Sequence, residues 1–383
     1  MKIERLHTNL ALLFVISAAL LFSSCRKDKK PIEPEVEIVT PEKPDTPLRG
    51  MYLLNEGNMN SNKSSLDYFD FSTGAYRRNI YHEVNPEITL GLGDVGNDIG
   101  IYGSKLYVVL NNSNKIEVVD VKTARKIGQI NIQNVRYITF AQGKAYASAY
   151  LGTIGDPDAA NGIVAEIDTA SLTITRRVEV GRQPEELAVV DNKLYVANSG
   201  GYSPPDYEST VSVVDLNSFR EVKRIEVAPN LHRLKADADG DLYVSSRGDY
   251  YESPSSVYVI DTKTEKVKKN FNIAVSQLVI SGDLAYAFGA EFSYETGRYV
   301  ISYHLIDIKR EELLDRSFIT DGTAEEIAMP YGLAVNPSTK EVYITDAKDY
   351  VSPGTLYCFS PEGTLNWSVA TGDIPAHFAF VYE

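Results

Sequence analysis

One phrase recurs about seven times along this 383-residue chain and limits the folds that it can adopt. Each copy has an apolar-Tyr-apolar segment, a variable stretch, and a second apolar segment that ends in Asp or Ser. The anchor tyrosines are spaced 39 to 57 residues apart: Tyr52, Tyr107, Tyr146, Tyr195, Tyr243, Tyr286 and Tyr343. A period of roughly 40–50 residues with several short strands per unit is typical of a β-propeller. We therefore predict an all-β, seven-bladed β-propeller with four antiparallel strands per blade.

The two ends of the repeat region predict how the ring closes. Gly50-Met51-Tyr52 begins at the second strand of a unit, with no first strand before it, whereas residues 375–382 form a first strand without a unit to follow. We expect this C-terminal strand to become the innermost strand of the N-terminal blade. Such closure removes the free sheet edges that promote aggregation.

The first 24 residues have the pattern of an export signal. Lys2 and Arg5 precede an apolar run from Leu10 to Leu21, which is shorter than the roughly 20 residues of a membrane-spanning helix. Cys25 follows two serines, as in the lipobox of bacterial lipoproteins, and is the predicted lipidation site; the alternative is an ordinary signal peptide with a chance cysteine. Residues 25–49 then read as a Pro-rich tether and residues 50–383 as the propeller.

Composition and motifs narrow the function. The formal net charge is −14, with no basic cluster in the repeat region, so nucleic acid is not an expected partner. Catalytic motifs such as HExxH, GxSxG or a Walker loop do not occur, and we expect neither an enzyme nor a bound cofactor. Asp156 and Asp158 are compatible with a calcium site, although two carboxylates in a Gly-rich loop are more often solvated.

The seven innermost strands should begin around one mouth of the central channel. Aligning the repeats on the anchor tyrosines places two residues of each unit there. The candidate ligand-binding residues at this mouth are Asn97, Asp98, Arg136, Tyr137, Glu185, Glu186, His232, Arg233, Gln277, Tyr331 and His377. Together they mix hydrogen-bond donors, acceptors and aromatic rings, as an uncharged, amide-rich or zwitterionic ligand requires. The alternative is that these groups only satisfy one another and channel waters.

The connections between the second and third strands vary most in length, and binding function is usually carried by variable loops on a rigid scaffold. They are rich in aromatic residues, which suit a large ligand with apolar and hydrogen-bonding surface. The candidates among them are Tyr150, Tyr202, Tyr250 and Tyr294. Each could instead pack within its own loop.

Two phrases carry a family resemblance: residues 181–190, GRQPEELAVV, and residues 192–198, NKLYVAN. The repeat region resembles the YncE-like seven-bladed propellers. With the lipobox, the tether and the Asn/Tyr-rich loops, the chain is similar to the BtuG-type surface lipoproteins. That resemblance implies capture of vitamin B12 or a related corrinoid on the upper propeller face, and transfer to a TonB-dependent outer-membrane cobalamin transporter. It also implies an outer-membrane location facing the cell exterior, with only the lipid anchor touching the membrane.

Two other functions stay open at this point, because a fold does not fix a function. A surface propeller that binds glycans or peptides would use the same aromatic loops. A propeller lactonase would need a compact general-base or metal constellation, and the sequence offers only scattered carboxylates and histidines.

Overall fold

The computed structural model describes residues 36–41, 48–152, 156, 158–201, 204–250, 252–293 and 296–382. Within them, seven antiparallel sheets follow one another as the blades of a propeller, which confirms the predicted fold class. Among these described residues, no helix is both long and apolar enough to cross a membrane.

Blade 1 takes strands from both ends of the chain. Its strands, from the outside inward, are β1 (Val36–Ile38), β4 (Ala75–Arg77), β3 (Ser65–Asp70), β2 (Leu48–Asn55) and β29 (Pro375–Tyr382). The pairing of Leu48 with Tyr382 and of Leu54 with His377 joins the two ends. The predicted closure by the C-terminal strand is therefore confirmed.

The other six blades are contiguous in sequence and have four strands each. Blade 2 has β5 (Gly96–Tyr102), β6 (Lys105–Leu110), β7 (Lys115–Asp120) and β8 (Lys126–Asn131). Blade 3 has β9 (Val135–Ala141), β10 (Lys144–Ala149), β11 (Ile163–Asp168) and β12 (Thr173–Glu179). Blade 4 has β13 (Pro184–Val190), β14 (Lys193–Asn198), β15 (Thr210–Asp215) and β16 (Arg220–Glu226).

Blade 5 has β17 (Leu231–Ala236), β18 (Leu242–Ser246), β19 (Ser256–Asp261) and β20 (Lys266–Asn270). Blade 6 has β21 (Gln277–Ser281), β22 (Leu284–Ser293), β23 (Arg298–Asp307) and β24 (Glu312–Leu314). Blade 7 has β25 (Pro330–Val335), β26 (Val342–Asp346), β27 (Pro353–Phe359) and β28 (Leu365–Asp373). The short helix α1 (Ile80–Val84) and a 3-10 turn (Thr323–Glu325) lie in connections between blades.

The repeated phrase supplies the scaffold. All seven anchor tyrosines lie on second strands and are buried, as Tyr107 on β6 shows with no exposed surface. The aspartates that end the third strands brace the following turn: Asp120 accepts hydrogen bonds from the amides of Lys122 and Thr123 at 3.0 and 2.9 Å. Short polar side chains are favoured in turns for this reason.

The apolar cores lie between neighbouring blades. One of them joins Leu54 of blade 1 with Leu106 and Val108 of blade 2. Because each blade completes the core of the next, a single blade has no core of its own and the ring must close to bury all seven.

The structure adds a strand that the sequence analysis did not predict. Residues 36–38, within the segment assigned to the tether, pair with β4 as a fifth, outermost strand of blade 1. The amide of Val39 also donates to the carbonyl of Gly74 at 2.9 Å. We call residues 36–41 the strap, since this stretch is held against the outer edge of blade 1.

Candidate functional site

The innermost strands all begin at one end of the ring, which we call the upper face; the tight turns that lead to the second strands lie at the lower face. Most of these strands carry a β-bulge where they begin. The register shifts between Gly96 and Asp98 on β5, and between Leu231 and Leu234 on β17. A bulge re-aims the side chains of the extra residues. The predicted pairs of ring residues lie at these bulges, which turn them toward the axis.

Side-chain hydroxyl groups on the second strands stabilise three of the bulges. Ser148 accepts from the amide of Tyr137 at 3.1 Å, and Ser245 accepts from the amide of Arg233 at 3.0 Å. In blade 7, Thr345 accepts from the amide of Gly332 at 2.7 Å. These contacts satisfy amides that the interrupted strand ladder leaves without a partner.

A buried ion network surrounds Glu185, the first ring residue of blade 4, which has no exposed surface. Arg136 donates to its Oε2 at 3.1 Å, Tyr150 donates to its Oε1 at 2.6 Å, and Arg247 lies 3.5 Å from the same oxygen. Burial alone would raise the pKa of the Glu185 carboxyl, but the two guanidinium groups hold it below its usual value. Glu185 is therefore a carboxylate that serves to position its neighbours.

A second cluster joins blades 3 and 5. The hydroxyl of Tyr137 lies 3.0 Å from Nε2 of His232, and Nη1 of Arg233 donates to the same hydroxyl at 3.2 Å. Burial, reinforced by the nearby charges of Arg247 and Arg233, lowers the pKa of His232 well below its usual value. The imidazole is therefore neutral at neutral pH.

A third cluster forms around Glu56, which follows β2. Tyr331 donates its hydroxyl to Oε2 at 2.8 Å, and Nε2 of His377 lies 3.0 Å from Oε1. Nearby in the ring, the amide group of Asn97 donates to the carbonyl of Arg136 at 2.5 Å. These bonds bind the starts of neighbouring innermost strands to one another.

The second residues of the pairs have a different environment. Asp98, Glu186, Arg233, Gln277 and His377 line one end of a cavity of about 570 Å³ along the propeller axis. Ala376, which precedes His377, lines it too. The other candidate residues of the ring do not line it: Asn97, Arg136, Tyr137, Glu185, His232 and Tyr331. The predicted single ring is therefore two tiers: an upper tier that lies only in the networks, and a lower tier that faces the channel. Arg233 and His377 belong to the lower tier and also join the networks.

The structure describes two of the four predicted loop tyrosines and leaves only one of them exposed. Tyr150 is buried, with 2% of its surface exposed, because its hydroxyl reaches Glu185. Tyr250 is 59% exposed and lies edge-on to Tyr207 at 6.4 Å. Tyr202, Tyr294 and the predicted lipidation site Cys25 lie outside the described residues. Of the two candidate loop tyrosines that the structure describes, only Tyr250 is exposed.

A longer hairpin adds aromatic surface that the candidate residues did not include. The strands β22 and β23 have ten residues each and pair along their whole length, from Leu284 with Asp307 to Ser293 with Arg298. Phe292 and Tyr299, near its tip, are 46% and 48% exposed and contact each other edge-on at 5.4 Å. The hairpin therefore extends the upper face outward.

Two central partners, Glu56 and Arg247, lie beside the channel mouth, as the sequence predicts for residues just after a second strand, although neither was among the ligand-binding candidates. Both directly follow a second strand, β2 and β18 respectively, where the chain reaches the upper face. That position is the signal in the sequence that points to them.

Metal-binding geometry is absent from the described residues, in which no group of three His, Cys, Asp or Glu side chains could hold an ion. At the loop considered for calcium, the amide of Asp158 donates to Asp156 and both residues are exposed.

Residues 49–366 match the family described as "Domain of unknown function (DUF5074)", and the chain belongs to that family. No curated protein matches the sequence significantly. Among solved structures, it is similar to a quinonprotein alcohol dehydrogenase-like protein from Bacteroides thetaiotaomicron, with a TM-score of 0.62, 17% identity, and coverage of 87% of this chain and 78% of that one. It is also similar to hydrazine synthase from Kuenenia stuttgartiensis, with a TM-score of 0.54, 16% identity, and coverage of 70% and 77%. The TM-scores indicate a shared fold, and identities this low leave the function open.

Proposed function

We propose that this DUF5074 propeller is a lipid-anchored surface protein that captures a corrinoid on its upper face and passes it to a TonB-dependent outer-membrane cobalamin transporter. The resemblance to BtuG-type lipoproteins suggests the ligand and the partner. The observation that carries the proposal is the make-up of the upper face: a polar centre, braced from within, surrounded by exposed apolar and aromatic side chains.

The polar centre is preorganised. Arg136, Tyr150 and Arg247 are held on Glu185, and Tyr331 and His377 are held on Glu56. A ligand that meets groups already fixed by their neighbours costs little conformational entropy on binding. Arg247, whose side chain is 31% exposed, is available to pair with a phosphate or an amide carbonyl.

The rim supplies apolar area. Exposed side chains lie in the connections between second and third strands, or on the strand ends beside them, in blades 1, 5, 6 and 7. They are Met59, Tyr250, Phe292, Tyr299 and Val351, each between 46% and 66% exposed. A corrinoid is a broad, rigid disc fringed with amides, so a polar centre inside an apolar rim suits both of its surfaces.

The proposal assigns this chain binding and no catalysis. The central histidines have structural partners, since Nε2 of His232 meets Tyr137 and Nε2 of His377 meets Glu56. Coordination of the corrinoid cobalt through either Nε2 atom would require breaking one of these bonds. We therefore expect the ligand to be held by contacts with its edge and faces.

Gel filtration with cyanocobalamin tests the ligand. The mature chain carrying Cys25→Ser, mixed with cyanocobalamin at micromolar concentration, should elute with the red chromophore. We expect Tyr250→Ala to weaken binding about tenfold, since loss of one aromatic contact typically costs about 1–2 kcal/mol. Val222→Ala, an exposed side chain on the outermost strand β16, is the control and should change nothing. No co-elution at these concentrations would refute corrinoid capture.

The same protein tests the main alternative. The edge-on pair Phe292 and Tyr299 offers faces on which sugar rings could stack. A glycan-binding propeller would fail to retain cyanocobalamin and would instead bind an immobilised glycan in a way that Phe292→Ala abolishes. Binding of cyanocobalamin with no glycan retention would exclude this alternative.

Anchoring is tested separately in cells. If Cys25 carries the lipid, the wild-type protein should partition with outer membranes and be cleaved by protease added to intact cells. Cys25→Ser should release it from the membrane fraction. A membrane-bound Cys25→Ser protein would show that the anchor lies elsewhere.

A further inference from the structure

The axial cavity of about 570 Å³ is bounded mainly by the innermost strands of several blades. Its inner end is formed by the lower tier of ring residues. At the other end it is lined by the β21–β22 turn at Ser281 and Gly282, and by Lys340 and Tyr382, all at the lower face. The cavity is thus separate from the exposed rim of the upper face.

We propose that this channel is a second ligand site, entered from the lower face, for a small amphipathic carboxylate whose charged group meets Arg233 and whose apolar body lies along the channel wall. The site goes beyond the proposed function, because it takes a different ligand at the opposite face.

Arg233 provides the recognition group. Its side chain lines the cavity although the residue is only 8% exposed, and one nitrogen of its guanidinium, Nη1, donates to Tyr137. Its Nε has no hydrogen-bond partner among the residues that the structure describes. A guanidinium has five N–H donors and the bond to Tyr137 uses one of them, so the part of Arg233 that lines the cavity can donate to an acceptor on a ligand.

The neighbouring carboxylates are already engaged. Asp98 accepts from the amides of Ile99 and Ile138, both at 2.9 Å. Glu186 accepts from the amide of Leu234 at 2.7 Å and from Lys235 at 2.6 Å. Each oxygen of Asp98 and Glu186 thus already accepts a hydrogen bond, whereas the guanidinium of Arg233 has donors to spare, which favours an acceptor on the ligand.

The charge of the lining favours an anion. The lining includes three cationic side chains, Arg233, Lys235 and Lys340, and two carboxylates, Asp98 and Glu186. This excess of positive charge occurs in a chain whose formal net charge is −14. Burial raises the pKa of Asp98, which reduces its tendency to repel an incoming carboxylate.

The wall between the two ends carries several apolar side chains. Ile99, Val279, Leu333, Phe378 and Phe380 all line the cavity. Its volume falls within the range of about 300–1,000 Å³ that is typical of small-molecule sites. A linear carboxylate would place its head at Arg233 and its hydrocarbon chain against these side chains, pointing toward the lower face.

Isothermal titration calorimetry with octanoate tests this site on the mature chain carrying Cys25→Ser. We expect octanoate to bind at least tenfold more tightly than 1-octanol, and octylamine to show no binding. Equal affinity for octanoate and octanol would overturn the role of Arg233. No heat with octanoate up to millimolar concentration would mean that the channel holds only water.

Two variants place the ligand. Arg233→Met should remove the preference for octanoate over octanol. Val279→Phe, which narrows the channel from β21, should weaken octanoate about tenfold or more, whereas Val222→Phe on the exposed strand β16 should not. Octanoate binding unchanged in Val279→Phe would place its site elsewhere and overturn the proposal.

Cyanocobalamin separates this proposal from the previous one. Val279→Phe should retain cyanocobalamin like the unmodified chain, and octanoate should not displace it. If octanoate binds but cyanocobalamin does not, the channel site stands and the proposed function fails. Competition between the two ligands would show that they share one site, and the channel would then not be a separate one.

Discussion

Tyr137 and His232 lie two blades apart, on β9 and β17, and their side chains meet in a hydrogen bond of 3.0 Å between the phenolic oxygen and Nε2. Both residues are buried, and Arg233 donates to the same hydroxyl. The bond crosses the end of the channel in front of blade 4, which lies between blades 3 and 5. Because His232 is one partner, the free energy of unfolding depends on the protonation of its imidazole.

Acidification should therefore destabilise the protein through His232. The folded state lowers the pKa of this group, so below pH about 6.5 the unfolded chain takes up a proton that the folded protein does not. The contribution is fully present above pH about 6.5 and is lost as the pH falls, with a slope of up to about 1.4 kcal/mol per pH unit. Urea unfolding at pH 7.5 and 5.5 should show a smaller acid loss in His232→Gln than in the wild type.

The exposed His82 on α1 gives the control for this prediction. His82→Gln should retain the acid loss of the wild type. An equal loss in His232→Gln would show that other groups cause the pH dependence.

Removing Glu185 should be among the most damaging single changes. Glu185→Ala leaves the cations Arg136 and Arg247 in the upper tier without their shared carboxylate. Breaking one partner of a buried ion pair typically costs about 3–5 kcal/mol. Chemical denaturation should reveal this loss, while Glu312→Ala, exposed on β24, should stay within about 0.5 kcal/mol of the wild type. A similar small effect in both variants would contradict the assigned role of the network.

Loss of the C-terminal strand should open the ring. Deleting residues 374–383 removes β29 and exposes the inner edge of β2, which pairs with it from Leu48 to Asn55. An unpaired edge next to an open core promotes aggregation. We expect a lower melting temperature and larger species in light scattering, with partial recovery when a peptide of residues 374–383 is added. Unchanged melting of the truncated chain would argue against this closure.

Gly74 should control the strap. It has a φ of +69°, and a Cβ at this position would overlap the carbonyl oxygen of Thr40. Gly103 has a φ of +60° but open space around it, so both Gly→Ala changes carry similar backbone strain of about 1 kcal/mol. Hydrogen exchange at the amide of Val39 should become faster in Gly74→Ala only. Equal protection in the two variants would show that the strap tolerates the added methyl group.

The repeated features of the fold could be predicted from the sequence, whereas contacts between distant residues could not. The spacing of Tyr107 and its equivalents predicted the blades, because one buried tyrosine recurs in each repeat. Tyr150 was expected to be exposed, and its burial depends on Glu185, which is 35 residues away and on the next blade.

Two further features left little trace in the sequence. The β-bulges split the predicted ring into two tiers, but they arise from strand register, which residue type does not reveal. Strand β1 is three residues long and lies among prolines, so no periodicity could identify it. Its pairing is set by the edge of β4 rather than by its own composition.

Closure by β29 also determines the order in which the molecule can assemble. Blades 2 to 7 are contiguous in sequence, so the strands of each can pair once its own segment has been made, and its core is completed when the next blade follows. Blade 1 cannot, because β2 must wait for a strand from the other end of the chain, and long-range pairing is slow to form. A shortened chain would never reach the closed state. Strand β29 thus makes synthesis through residue 382 a condition of ring closure, and chains that stop before it stay open to proteolysis.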